Sequence, residues 1–361
     1  VNLGDICPVP SGYVLNNSDC NDNNANINPA AVDICDALDN NCNGILDDNN
    51  SLNFDGVNDY VQMNDFNLGT ADFTVEAWVK PAGNGNFVIG NRTVESTGAG
   101  NWWNIRTDNN HLVLEMGQST APAYSYTQGS KPVLPNQWSH IAVTRSGTAI
   151  SLYVNGELDT TFNDVVVRNL TTGNNVGILG AWVGPGLQWF NGGIDEVRVW
   201  NVAHPLADIK KYRVANVAGQ PNLTAYYTFD HGTAGAINTG ITNLADRSVT
   251  GNNGTLNNLA LTGSASNWSD GYAGTVYADT DNDGYGDPAN STVTTSACFL
   301  VGYVSDNTDC DDNNAGIHTG CSTTPGAALS FDGVDDRVVV SNSNVNLANR
   351  SFSVEMWLKR N

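Results

Sequence analysis

At 361 residues the chain is long enough for more than one domain, and 40% hydrophobic content with nine tryptophans excludes a disordered acidic tail. Asp and Glu number 37 against 15 Lys and Arg, and a net charge of -22 argues against nucleic acid and anionic membranes as partners. With so few basic side chains, most carboxylates lack an ion-pair partner: either the surface is simply acidic, or bound cations neutralise part of it.

Residues 1–50 read as a small, loop-rich module. Asp19-Cys20-Asn21-Asp22-Asn23-Asn24-Ala25-Asn26-Ile27 sets side-chain oxygens at alternate positions, Asp19, Asn21 and Asn23, as a hard cation requires. A second string offers Asp39, Asn41, Asn43, the Ile45 carbonyl and Asp47, with Gly44 at the sharp turn. Cysteines clustered at short spacing imply disulfides and an oxidising, extracellular compartment. Zinc is the poorer alternative, since the cluster has no C-x2-C pair and no His. Four cysteines allow three connectivities. The expected pairs are Cys7 with Cys20 and Cys35 with Cys42.

Residues 51–272 read as β throughout. Phe73 to Val79 alternates apolar and polar residues, Leu112 to Met116 follows a turn at Asp108-Asn109-Asn110, and His140 to Arg145 turns at Ser146-Gly147-Thr148. Ile150 to Val154 ends at Asn155-Gly156, the strongest short hairpin signal. Gly192 to Trp200 is a further strand, and Pro205 to Val214 predicts a short helix. Many short strands with Gly- and Asn-rich turns predict an all-β sandwich or jelly roll.

Residues 273–326 return to the first module. Asp309-Cys310-Asp311-Asp312-Asn313-Asn314-Ala315-Gly316-Ile317 nearly repeats the Asp19–Ile27 string, and each follows a Gly-Tyr-Val, at 12–14 and 302–304. Its expected ligands are Asp309, Asp311 and Asn313. Upstream, Asp279-Thr280-Asp281-Asn282-Asp283-Gly284-Tyr285-Gly286-Asp287 offers Asp279, Asp281, Asp283, the Tyr285 carbonyl and Asp287. Cys298 is expected to pair with Cys310, which leaves Cys321 odd. The competing reading of all these strings is a set of Asx-turns in an acidic linker. Calcium suits them best because the donors are oxygens. Copper or zinc would want His, thiolate or Met, and beyond the cysteines the modules offer only His318.

From 327 to 361 the sandwich begins again. Leu329-Ser330-Phe331-Asp332-Gly333-Val334 matches Leu52-Asn53-Phe54-Asp55-Gly56-Val57, and Phe352 to Lys359 matches Phe73 to Lys80. The sequence therefore reads as an excerpt of a repeat array.

Phe54-Asp55-Gly56 with Asp59-Tyr60-Val61, then Phe73 to Val79, Trp138 to Thr144, Leu152 to Gly156 and Gly193 to Trp200, in this order and spacing, resemble a laminin-G-like, concanavalin A-like jelly roll. The resemblance covers roughly 51–272. It implies a further calcium at a sheet edge or rim, with Asp55, Asp59 and Asp195 as candidates. The alternative is that Asp55 caps a turn and Asp195 bonds backbone within the sheet. The cation strings resemble thrombospondin type 3 calcium repeats and a metal-binding module that recurs in bacterial secreted proteins.

Glycosidases of related folds need two carboxylates on one strand face, commonly Glu-x-Asp-x-x-Glu, which is missing here. Asp195 and Glu196 are adjacent, so strand alternation points them to opposite faces. G-x-S-x-G, H-E-x-x-H and phosphate-loop motifs are also missing. A non-catalytic role is expected. Trp102, Trp103, Trp182 and Trp189 fall at loops or strand ends, where aromatic faces could stack on glycans or form an interface. The reading that absorbs most features is a calcium-stabilised repeat unit of a secreted or surface-displayed bacterial adhesin or filament. Its partners would be neighbouring repeats or identical chains. The alternative is a carbohydrate-binding module. Neither nucleic acid nor direct membrane insertion is expected.

Overall fold

The computed structural model describes residues 17–29, 31, 38–42, 49–84, 86–92, 100–173, 176–182, 188–295 and 300–317. Cys7, Cys35, Asn43, Ile45, Asp47, Cys298, Cys321 and the second sandwich start at 327–361 lie outside the described residues. The chain divides into two units, 1–319 and 320–361, of which the first holds all the described residues.

Two eight-stranded antiparallel sheets face each other. The first runs Glu157–Asn163, Ala149–Val154, Ser139–Ser146, Phe73–Pro81, Asn191–Trp200, Asn50–Asp55, Asn267–Asp270, with Leu223–Tyr227 also paired to Asn191–Trp200. The second runs Asn243–Leu244, Gly254–Asn257, Tyr60–Met63, Gly177–Leu179, Asn86–Gly90, Trp102–Asp108, His111–Gly117, Tyr124–Pro132. Period-2 alternation sends Val75, Ala77 and Val79 from one sheet, and Trp103, Ile105, Leu112 and Leu114 from the other, into one buried core. Each buried Val, Leu or Ile among them contributes about 1.5–3 kcal/mol by leaving water.

The predicted turns form as the side chains require. Asn155 and Gly156 both adopt positive φ, 53° and 76°, as a two-residue hairpin demands. Asn109 and Asn110, at 48° and 62°, do the same between Trp102–Asp108 and His111–Gly117. Among the described residues the α-helix is Leu206–Tyr212, entered at Pro205. It lies over the outer face of the first sheet, where Ile209 packs on Ala142 and Tyr153.

Asp195 and Glu196 depart from simple alternation. Glu196 takes φ 53°, the register against Phe73–Pro81 shifts between Asp195 and Arg198, and the strand exchanges one neighbour, Asn50–Asp55, for another, Leu223–Tyr227. This bulge cancels the pleat, so both acids are fully buried on the helix side rather than on opposite faces. Glu196 accepts hydrogen bonds from Arg198 and from Tyr226 Oη at 2.8 Å. Glu76 accepts from Trp200 Nε1 at 3.0 Å, and His140 Nε2 lies 3.3 Å from its other oxygen. Two carboxylates thus share one buried guanidinium, Arg198. Burial pushes the Glu196 carboxyl up to about 7 despite Arg198.

The second module is more ordered than a loop-rich connector. Ala273–Ala278 pairs with Ser291–Thr295 and Tyr303–Val304 in a small sheet. It is seated on the sandwich. Trp78 stacks on Tyr272 with ring centroids 3.5 Å apart, and Val214, Val276, Trp138 and Tyr303 close around them. Lys210 Nζ bridges to Asp306 at 2.9 Å and sits 3.7 Å from the Tyr285 ring centroid.

The expected cysteine pairing is corrected in the first module. Cys20 is bonded to Cys42, not to Cys7, so Cys42 is not the partner of Cys35. Spacing alone could not choose among the connectivities, and the fold decides by bringing the two loop strings together, with Asn28 N–H donating to the Asn40 carbonyl at 2.9 Å. Cys310 is disulfide-bonded, to a partner outside the described residues.

Candidate metal centre and ligand face

The repeated nine-residue string folds the same way twice. In the first copy the Asn21 N–H donates to Asp19 Oδ1 at 2.8 Å, Asn24 N–H to the Asn21 carbonyl at 2.8 Å, and Ile27 N–H to the Asn24 carbonyl at 2.9 Å. In the second copy the matching bonds are Asp311 to Asp309 Oδ1 at 2.9 Å, Asn314 to Asp311 at 2.8 Å, and Ile317 to Asn314 at 2.8 Å.

In the second module the loop meets the Asp279–Asp287 string. The Thr280 N–H and Oγ1–H donate to the two oxygens of Asp312, at 2.7 and 2.6 Å, and the Asp309 N–H donates to the Gly286 carbonyl at 3.1 Å. Two groups of carboxylate oxygens lie within 4.8 Å of one another: Asp279, Asp281 and Asp283, and Asp281, Asp309 and Asp312. Backbone donors hold the first group, since Asp283 N–H reaches Asp279 Oδ1 at 3.1 Å and Gly284 N–H reaches Asp279 Oδ2 at 3.3 Å. Burial, opposed by these backbone bonds and reinforced by the neighbouring Asp283 and Asp281 charges, raises the Asp279 carboxyl above its usual range. Asp281 Oδ2 and Asp309 Oδ2 are buried without a hydrogen-bond partner. An all-carboxylate donor set with orphaned oxygens fits a hard cation and does not fit a soft one.

Of the expected ligands, Asp279, Asp281, Asp283 and Asp309 converge. Asp287 accepts the Ala289 N–H at 2.8 Å, and neither Asp287 nor Asp311 belongs to these two carboxylate groups. Asp312 belongs to the second group and was not among the expected ligands, because the alternating pattern steps over it. In the first module Asn21 Oδ1 accepts the Asn23 N–H at 3.3 Å, and Asn41 is buried. Asp19 and Asp39 are its expected carboxylates among the described residues. At the sandwich rim, Asp55 Oδ1 accepts the Val57 N–H at 2.7 Å and Asp59 Oδ2 accepts the Asp55 N–H at 2.9 Å. Asp195 Oδ2 accepts the Tyr272 N–H at 2.9 Å. These three form no carboxylate group of the kind found at Asp281 among the described residues.

The tryptophans need a correction too. Trp102 and Trp103 open the strand Trp102–Asp108, at a strand end as expected, but both are fully buried, so neither offers a face to a ligand. Trp103 points into the core. Trp102 points outward, over Gly117, where a Cβ would stand 2.2 Å from its Nε1. The Arg92 guanidinium covers it, sandwiched between the Trp102 ring at 4.0 Å and the Trp182 ring at 4.2 Å. Trp182 keeps 8% of its surface exposed, and Trp189 is half-buried against Tyr60.

Cross-strand register builds a face around this stack. Asn104, Glu115 and Tyr126 form one row, and Trp102, Gly117 and Tyr124 the next. Glu115 Oε2 pairs with Arg92 at 2.8 Å and with Arg106 Nε at 3.4 Å, and Tyr124 Oη donates to Glu115 Oε1 at 2.7 Å. Burial alone would raise the Glu115 carboxyl. The Tyr124 hydrogen bond and the two guanidinium groups outweigh that and hold it below its usual range. Tyr124 and Tyr126 stay 36% and 39% exposed beside this ion-pair cluster.

A concanavalin A-like sandwich with acidic, disulfide-bonded loop modules at its ends is thus the class of protein the geometry defines. Residues 55–210 match the concanavalin A-like lectin/glucanases superfamily, and residues 19–48 and 309–336 match the family described as "Putative metal-binding motif". No curated protein matches the chain. Among solved structures, the chain is similar to a "putative carbohydrate binding protein" from Bacteroides ovatus, with 20% identity over 72% of this chain and 62% of that one, TM-score 0.45. It is also similar to the heptameric SAP-like pentraxin of Limulus polyphemus, with 14% identity over 46% and 82%, TM-score 0.36. The CBM40 of the Ruminococcus gnavus IT-sialidase shows 12% identity over 44% and 95%, TM-score 0.36. The chain spans 62% of the length of the first of these structures. No helix among the described residues is long and apolar enough to cross a membrane.

Proposed function

We propose that this chain is a carbohydrate-binding segment of an extracellular multidomain protein, non-catalytic, with its jelly roll held by calcium-braced modules. The observation that supports the binding role most is the outer face of Trp102–Asp108, His111–Gly117 and Tyr124–Pro132. There two exposed tyrosines of one strand line one side of the Arg92–Glu115–Arg106 ion-pair cluster. Aromatic faces beside preset donors and acceptors are what a sugar ring needs for stacking and hydroxyl recognition. The buried Glu76, His140, Arg198 and Glu196 are enclosed beneath the helix layer and serve the fold.

The test is a glycan array followed by calorimetry with the full chain, wild type against Tyr124→Ala and Tyr126→Ala. Retention of a glycan, with affinity lowered at least tenfold by either substitution, is the expected result. Glycan binding indifferent to both substitutions removes this face from the reading, and absence of glycan binding removes the reading itself.

A second role is compatible with the first. The stack of Tyr272 on Trp78 and the Lys210–Asp306 bridge support a repeat unit whose modules keep a set orientation, as an adhesin or filament on a cell surface would use. Its partners would be neighbouring repeats or identical chains.

A further inference from the structure

We propose that the second module holds two divalent cations, not one, and that Asp281 bridges them. The inference rests on the calcium-binding reading above and deepens it. Ligand oxygens around one calcium lie about 2.3–2.6 Å from the ion, so any two are at most about 5 Å apart. Asp279, Asp281 and Asp283 meet this condition together, and so do Asp281, Asp309 and Asp312, but the five carboxylates do not form a single group. One ion therefore serves one triad. Asp281 belongs to both, and a carboxylate has two oxygens to divide between two ions.

Asp309 supplies the independent sign of a ligand. It is 1% exposed, its Oδ1 accepts the Asp311 N–H at 2.9 Å, and its Oδ2 is buried with no hydrogen-bond partner. A buried carboxylate oxygen left in this state is costly unless a cation meets it. Lys210, a basic side chain close to the module, is committed to Asp306 and to the Tyr285 ring. Five carboxylates would leave a strong excess of negative charge around a single divalent ion. Two ions neutralise most of it. The backbone bonds from Asp283 and Gly284 hold Asp279 in one triad, and the Thr280 clasp holds Asp312 in the other.

The consequence is that the two sequence strings are not separate sites. The Asp279–Asp287 string completes its ion sphere next to one that the Asp309 loop cannot complete without Asp281.

The experiment counts calcium by native mass spectrometry, with calorimetric titration, on the whole chain stripped of metal and reloaded. Asp283→Asn and Asp312→Asn each remove a ligand from one triad, and each is expected to lose one ion relative to wild type. Asp281→Asn is expected to lose two. Circular dichroism and the intact disulfides report whether each variant is folded. If Asp283→Asn loses an ion and Asp312→Asn loses none, there is a single site and the proposal fails while calcium binding stands. If folded Asp281→Asn loses only one ion, two sites exist without a bridge and the proposal fails. If wild type binds no calcium, the proposal and the calcium reading fall together.

Discussion

The two cation modules share one loop and keep different company. Asp19–Ile27 and Asp309–Ile317 share a set of turn hydrogen bonds, yet the first is joined to its neighbouring string by Cys20–Cys42, and the second by the Thr280–Asp312 and Asp309–Gly286 hydrogen bonds beside carboxylates that gather at Asp281. Local sequence determines the turn, and the segment that reaches across it determines whether the turn becomes a ligand sphere. A covalent tie needs no ions, whereas carboxylates gathered this closely repel one another unless a cation lies between them.

Removing calcium should break the symmetry most. Each ion present at a hundredfold excess over its Kd adds about 2.7 kcal/mol, so two would stabilise the second module by about 5 kcal/mol. Hydrogen exchange followed by mass spectrometry after EGTA treatment should show protection lost over residues 279–287 and 309–317 and largely kept over 19–29. Equal loss in both would mean that the disulfide does not substitute for ions.

The complementary change is Cys20→Ser with Cys42→Ser. Opening a loop closed across 22 residues should cost the first module about 3 kcal/mol and leave the second untouched. Exchange over residues 19–29 measures it, and unchanged protection there would show that cations or packing already suffice.

A smaller effect is expected at the seat of the second module. Lys210→Met removes the bridge to Asp306 and should lower the unfolding midpoint in calorimetry by an amount equivalent to ~1–2 kcal/mol. Burial alone would raise the Asp306 carboxyl, but the Thr308 hydrogen bonds and the Lys210 ammonium outweigh it and hold the group below 3.8. Because the folded value lies below the unfolded one, this contribution is present above pH 3.8 and is lost as pH falls through the folded value. Wild type and Lys210→Met should therefore converge in acid. A difference that persists there would point to lost packing of the lysine stem.

Periodicity made the sandwich legible, because alternation, Asn155-Gly156 and the Asn109-Asn110 turn are properties of adjacent residues. What escaped depends on distance. The burial of Trp102 needs Gly117 from the next strand and Arg92 from beyond another. The common side of Asp195 and Glu196 needs a bulge that forms only where three neighbouring strands meet the same strand. Cys20 finds Cys42 because the loops fold together, not because of spacing. Asp312 joins Asp281 across a small sheet whose strands the acidic composition concealed.

The sandwich strand Asn267–Asp270 gives way to the module strand Ala273–Ala278 across two residues, Gly271 and Tyr272, and Tyr272 is itself the ring stacked on Trp78. A pull on the chain at this joint finds no slack to take up before it strains the stack, so the junction behaves as a clamp and not as a swivel. Tension and torque entering the module would pass straight into Phe73–Pro81, a central strand of its sheet.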